Sequence, residues 1–173
     1  MEHKCSDGAQ AMKNSEIDFL YLETPIGGLV LATRQRGLCR LSYVKGQYDI
    51  KSYPKTKLEH LAHSQLMNYF DKPHDRFTIP LDDCEQTPFR KRVWQALSEI
   101  KIGTTTTYKK IAQVLNTHPR AIGGACAANP IPIIIPCHRV IAQSGALCGY
   151  TGAGGNQDLS IKAQLLKHER QGL

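Results

Sequence analysis

The sequence predicts an α+β fold in two units: a small N-terminal antiparallel sheet covered by a helix, then a mostly helical unit containing a helix-turn-helix. Three observations lead there. Apolar runs of strand length, separated by glycine- and proline-bearing turns, fill residues 17–44. Between Lys72 and Gln86 the apolar pattern lapses into Pro73, Pro80 and the acidic pair Asp82-Asp83, an interdomain connection that sets the units at 1–82 and 83–173. Beyond it the spacing turns helical, with two short helices joined by Asn116-Thr117-His118-Pro119.

The first sixteen residues are polar and read as loose. Strands follow at Ile17–Glu23, Leu29–Thr33 and Leu38–Val44; their short connections, Thr24-Pro25-Ile26-Gly27-Gly28 and Arg34-Gln35-Arg36-Gly37, make neighbours antiparallel. Thr56 with Glu59 forms a capping box, and the stripe Leu58, Leu61, Ala62, Leu66, Tyr69 and Phe70 should cover the sheet. Thr87 and Pro88 open a second helix whose Phe89, Val93, Leu97 and Ile100 share a face and which Gly103 should stop. Trp94 reads as core, with base stacking as the alternative. Thr107 caps a helix over Tyr108–Leu115, and after the turn another spans Arg120–Ala128.

That second helix is stripped of bulk by Ala121, Gly123, Gly124, Ala125, Ala127 and Ala128, at a cost in helix propensity. Either it packs tightly inside the unit or an outside surface approaches its backbone; with Arg120 at its start and the net charge, the reading favours DNA. Glycines at 145, 149, 152, 154 and 155 then mark a loop around Tyr150 and Thr151. A last helix, Ser160–Glu169, turns Ile161, Leu165 and Leu166 inward; taken alone, Glu169 reads as a solvated helix-end residue.

With 173 residues, the chain can bury one good core or two small ones. Its 22 Lys and Arg against 15 Asp and Glu, a net +7, suit a polyanionic partner, the alternative being a basic protein with no such partner. The six cysteines show no C-x-x-C pairing, and Met1-Glu2-His3-Lys4 opens no signal-peptide core, so a reducing compartment is expected. Pro132 and Pro136 interrupt the one aliphatic run, excluding a membrane span there. Neither His3 with Cys5 nor Cys137 with His138 has structural-zinc spacing.

The most informative residues are Pro136-Cys137-His138-Arg139-Val140, directly after Ile131-Pro132-Ile133-Ile134-Ile135. A thiol held there beside an imidazole is a candidate activated nucleophile, since a nearby base or positive charge raises the thiolate fraction at neutral pH. The plainer alternative is a core cysteine with His138 on the surface.

From Phe89 onward the chain resembles the 6-O-alkylguanine-DNA alkyltransferases, the methylated-DNA–protein-cysteine methyltransferase family. The resemblance rests on Phe89-Arg90-x-x-Val93-Trp94, Gly103-Thr104-Thr105-Thr106-Thr107-Tyr108, Ala121-Ile122-Gly123, Asn129-Pro130-Ile131, Ile135-Pro136-Cys137-His138-Arg139-Val140-Ile141, Gly145-x-Leu147-x-Gly149-Tyr150-x-Gly152 and Lys162-x-x-Leu165-Leu166-x-x-Glu169. It implies a ribonuclease H-like N-terminal domain, a winged helix-turn-helix, and irreversible single-turnover transfer of an alkyl group from 6-O-alkylguanine in DNA to the protein, with 4-O-alkylthymine as a further candidate substrate. Cys137 would be the acceptor, His138 the base acting through a water, Glu169 its orienting partner, Asn129 the brace of the turn, and Tyr108 a donor to the leaving guanine.

On the same resemblance Arg120 is the finger that fills the stack when the nucleotide rotates out. Ala121, Gly123, Gly124 and Ala127 would face the minor groove, and Tyr150, Thr151 and Gly152 would line the base pocket. The implied partner is double-stranded DNA carrying an alkylated guanine, bound by a monomer in the cytoplasm or nucleoid, or the nucleus of a eukaryote. No cofactor is implied, and no metal is expected, because Arg34 and Cys39 stand where the zinc ligands of some relatives fall. The segment 116–120 is shorter, and 153–159 longer, than the family's usual connections. A non-catalytic lesion-binding or regulatory protein is the alternative from another class, against which the acceptor cysteine speaks; a Cys-His hydrolase lacks an oxyanion site and an orienting Asn or Asp.

Overall fold

The computed structural model describes residues 17–44, 53–73, 76–82, 86–149 and 156–171. The expectations for residues 1–16, for Tyr150, Thr151 and Gly152, and for 153–155 of the 153–159 loop lie outside the described residues, while 156–159 belong to the last helix and not to a loop.

Strands β1 (Asp18–Thr24), β2 (Gly27–Arg34) and β3 (Gly37–Val44) form the expected antiparallel meander, in the order β1-β2-β3. Thr24 Oγ1 donates to the Gly27 carbonyl across the first turn at 2.5 Å, and Gly27 takes φ +106°, a conformation open to glycine at little cost. Between Ala32 and Thr33 the register slips, so Ala32 pairs with Arg40 and Thr33 with Leu38. Cys39 is thus the extra residue of a bulge, its Sγ 3.2 Å from the Ala32 carbonyl.

The stretch expected to be a connection is more ordered than that. The Leu38 amide donates to the Pro80 carbonyl at 2.8 Å and the Asp82 amide to the Leu38 carbonyl at 3.0 Å, so the chain lies parallel to the outer edge of β3. An exposed strand edge carries unpaired amides and carbonyls, and this segment satisfies some of them. Gly37 permits the approach, since a Cβ there would lie 2.4 Å from the Pro80 oxygen.

Helix α1 (Lys57–Asp71) opens on the expected capping box, Thr56 Oγ1 accepting from the Glu59 amide at 3.1 Å while Glu59 accepts from the Thr56 amide at 3.1 Å. Its buried Ala62, Leu66, Tyr69 and Phe70 pack toward the sheet; Leu58 and Leu61 are only partly buried. Helix α2 (Pro88–Ser98) has Thr87 as cap and Pro88 in the first turn. It ends before Gly103: the Ile100 amide already reaches back to Leu97, and Gly103, at φ +68°, serves the following turn. Trp94 is core, its indole N–H donating to the Ala125 carbonyl at 2.9 Å.

Strand β4 (Thr106–Thr107) leads into α3 (Tyr108–Val114), capped by Thr107. Asn116 turns the chain at φ +49°, and α4 (Pro119–Ala127) begins one residue earlier than expected because His118 Nδ1 caps it, accepting from the Arg120 amide at 3.2 Å. Strand β5 (Val140–Ile141) pairs parallel with β4, and α5 (Asn156–Gln171) runs longer at both ends than expected. Buried side chains of both halves, from Leu20 to Leu165, form one contiguous core. Among the described residues no helix is long and apolar enough to cross a membrane, and no group of three or more His, Cys, Asp or Glu could hold a metal ion.

Candidate active site

Cys137 is set in place by the loop before it. The Asn129 side chain spans that loop, its Nδ2 donating to the Ile135 carbonyl at 2.8 Å and its Oδ1 accepting from the Ile131 amide at 3.0 Å. Ile133 adopts φ +73°, unfavourable for a β-branched side chain, and is held there by burial together with Ile131, Ile134 and Ile135. The loop enters a 3-10 turn over Cys137–Arg139, closed by the Arg139 amide on the Pro136 carbonyl at 3.0 Å. Asn129 Nδ2 also lies 3.1 Å from Cys137 Sγ, so one side chain both braces the loop and touches the sulfur.

His138 is fully buried, not on the surface, and so is Glu169, which closes on it from α5. His138 Nε2 and Glu169 Oε1 are 2.7 Å apart. Glu169 also receives Arg139 through Nε and Nη2 at 2.9 and 2.8 Å, the Tyr69 hydroxyl at 2.8 Å and the Gly103 amide at 3.2 Å. Burial alone would raise its pKa; the hydrogen bonds from His138 and Arg139 outweigh that and hold it at about 2. Because Glu169 is a carboxylate at any ordinary pH, His138 Nε2 carries the proton in their hydrogen bond, which leaves Nδ1 as the basic nitrogen of the neutral ring.

Burial pushes the Cys137 thiol up to about 11, against the hydrogen bond from Asn129 and the charge of Lys162; burial likewise lowers His138 below its ordinary 6.5, against the pull of Glu169. The expectation of a raised thiolate fraction is therefore corrected. At neutral pH a neutral thiol sits beside a neutral imidazole, because neither charge is solvated well enough to form unaided. The proton must leave as the sulfur reacts.

Lys162 is a wholly buried cation beside this centre, its Nζ donating to the carbonyls of Val140, Cys148 and Gly149 at 2.6, 2.9 and 3.3 Å. It also lies 5.9 Å from the Tyr108 ring centroid. Tyr108, at the start of α3, donates to the Cys148 carbonyl at 3.2 Å, and its pKa is raised by burial first and by the nearby cysteines second, so it keeps its proton. Asn129 thus touches Cys137 and Glu169 touches His138, the two pairs joined by the adjacent residues 137 and 138, and Tyr108 lies in the same neighbourhood through Lys162 and residues 148–149.

The small residues of α4 lie apart from this network. Ile122, Ala125 and Cys126 point inward, whereas Arg120, Gly124 and Ala127, spaced along one helical face, are exposed and Ala121 and Gly123 half-buried. A Cβ added at Gly123 or Gly124 would meet nothing within 4 Å. Packing inside the protein therefore does not require these two glycines. Arg34 pairs with Asp82 at 3.6 Å.

Sequence reasoning missed three members of the site: Arg139, which ties Glu169 to the Ile100 carbonyl at 2.5 Å; Lys162; and Tyr69. Lys162 and Glu169 share a helical face with Leu165 and Leu166, and charge in an apolar stripe was the available signal. Tyr69 read as one more apolar stripe residue and gave none.

A family model described as the 6-O-methylguanine DNA methyltransferase, DNA binding domain, matches residues 88–171. The chain is 42% identical over 159 residues to a methylated-DNA–protein-cysteine methyltransferase of Methanosarcina barkeri, with 88% of this chain and 96% of that one covered. It is 41% identical to that of Mycobacterium leprae, covering 86% and 91%. The crystal structure of Mycobacterium tuberculosis OGT in complex with DNA matches with a TM-score of 0.74 at 35% identity, over 89% of this chain and 93% of that one.

Proposed function

Because this chain belongs to the methylated-DNA–protein-cysteine methyltransferase family, we propose that Cys137 is its alkyl acceptor and that the buried residues around it run the transfer. The activity is DNA repair by transfer of an alkyl group from DNA to a protein cysteine. The observation that carries the assignment to Cys137 is its place beside the His138–Glu169 pair, with Asn129 on its sulfur.

In the proposed reaction the substrate is 6-O-alkylguanine, with 4-O-alkylthymine as a second candidate, rotated out of a duplex bound through the minor groove. Extrusion costs about a few kcal/mol, offset by pocket contacts and by Arg120 filling the gap from the exposed start of α4. Ala121, Gly123, Gly124 and Ala127 let the sugar-phosphate backbone approach that helix closely, and Tyr150, Thr151 and Gly152 line the base pocket. Cys137 Sγ attacks the alkyl carbon in line, forming the S–C bond as the C–O bond breaks. The thiol proton passes to His138 Nδ1 through a bridging water, and Glu169 stabilises the imidazolium. Guanine leaves with the C–O electron pair, and the Tyr108 hydroxyl, protonated at neutral pH, donates to it as charge develops. Asn129 keeps the sulfur on line.

The same reading divides the chain into a ribonuclease H-like unit, 1–82, and a unit with a winged helix-turn-helix, 83–173. It makes the protein a monomer that acts where the DNA is, in cytoplasm, nucleoid or nucleus. A thioether is not hydrolysed by water, so transfer should stop at one alkyl group per chain. After mixing with duplex containing 6-O-methylguanine, intact-mass and peptide mass spectrometry should find a single methyl group, on Cys137 and on none of the other five cysteines. Cys137→Ala should lose transfer yet keep binding methylated duplex. Sustained turnover, or undiminished transfer by Cys137→Ala, would refute the assignment.

A further inference from the structure

The geometry points to Tyr69, on α1 in the N-terminal half, as a positioning residue for the transfer: its hydroxyl donates to the same Glu169 oxygen that receives His138, and so sets how tightly the carboxylate holds the base. The inference rests on the reading above, in which His138 is that base.

Tyr69 is fully buried, and its ring is fixed by contacts with Phe70, Phe77 and His168, at centroid distances of 5.2, 5.7 and 5.4 Å. Its carbonyl is bonded to His168 Nε2 at 2.8 Å. A phenylalanine would serve those ring contacts equally well, so packing leaves the hydroxyl unexplained. The hydroxyl reaches Glu169 Oε1 at 2.8 Å, where His138 Nε2 at 2.7 Å and Arg139 Nη2 at 2.8 Å already converge. Arg139 Nε approaches the same oxygen at 3.2 Å. A carboxylate oxygen offers two lone pairs, and four donors on one oxygen share them. Each bond weakens the others.

Removing the Tyr69 hydroxyl returns electron density to the His138 N–H and so stabilises the imidazolium. The other charged and titratable groups stay where they are: Glu169 and Lys162 on α5, Arg139 and Cys137 on the His138 turn, and Tyr43 of β3 and His168 of α5 beside Tyr69. His138 would then protonate at a higher pH than in the parent, and the base form that transfer needs would be lost sooner as pH falls. The Leu41 amide also bonds the Pro130 carbonyl of the active-site loop at 2.9 Å, a second contact by which the N-terminal half bears on the site.

The test is Tyr69→Phe in the full chain, read as the single-turnover transfer rate against pH on duplex containing 6-O-methylguanine. The variant should still take up one alkyl group and reach the parent's plateau at high pH, with its acid limb displaced upward by about half a unit to one unit. Below both limbs it should be about three- to tenfold slower. The His138 ring, followed by NMR titration without DNA, should move in the same direction. A lowered melting temperature with superimposable pH profiles and an unmoved His138 titration would assign Tyr69 to packing and overturn the proposal. If the parent transfers no alkyl group, the reading of the preceding section fails, while the His138 titration still decides the role of Tyr69.

Discussion

A glutamate two residues from the end of a helix would ordinarily be solvated, yet Glu169 holds the densest set of hydrogen bonds among the described residues at the site. Its charge matters to stability as well as to chemistry. Its folded pKa, about 2, lies below the ordinary 4.5, so the stabilisation it contributes is present above pH 4.5 and lost as pH falls toward 2. The shift corresponds to about 3 kcal/mol. His138 acts in the same direction: its folded pKa is also depressed, so protonation favours the unfolded chain as pH drops below 6.5. Chemical denaturation at a series of pH values should show stability falling steadily from pH 6.5 toward 2. Glu169→Gln should cost about 3–5 kcal/mol at neutral pH, by leaving Arg139 buried without its counter-charge, and should flatten the limb below pH 4.5. A parent protein whose stability ignores pH across this window would contradict the account.

At the scale of elements, α4 separates stability from function. Gly124 stands in a helix interior with open space where its Cβ would be, so Gly124→Ala should stabilise the isolated protein by about 0.5–1 kcal/mol. On the proposed reading the same methyl group stands between the helix and the DNA backbone, and duplex affinity should fall several-fold. Paired thermal melts and fluorescence anisotropy measure both effects; a stabilised variant with undiminished affinity would move the DNA face off this side of the helix. The caps Thr56, Thr87 and Thr107 were legible in the sequence because capping is local chemistry. The bulge at Cys39 and the docking of residues 80–82 on β3 were not, because both depend on which backbone arrives at a strand edge from elsewhere in the chain.

Across the whole molecule the net charge of +7 and the exposed Arg120 predict a sequence-independent hold on duplex DNA that weakens steeply with salt. Each phosphate contact releases condensed counterions, so the logarithm of affinity for undamaged duplex should fall linearly with the logarithm of salt. Anisotropy titrations from low to physiological salt measure the slope, and a flat response would remove the electrostatic footprint. The two halves meet in one core, and Tyr69 and Leu41 both touch the site. By itself the sequence determined the order of strands and helices, the caps, and the Pro136–Val140 motif with its family, because each is written in near-neighbour spacing. Through the family resemblance it also pointed to Asn129, Cys137 and His138 as a unit, nine or fewer residues apart. The resemblance also paired Glu169 with His138, while only the tertiary structure decided that this pair is fully buried, that Lys162, Arg139 and Tyr69 join it, and that burial pushes the thiol pKa up. The physical reason is that burial and the donors converging on a charge come from elements up to a hundred residues apart, and these set a group's protonation while the sequence sets only its type.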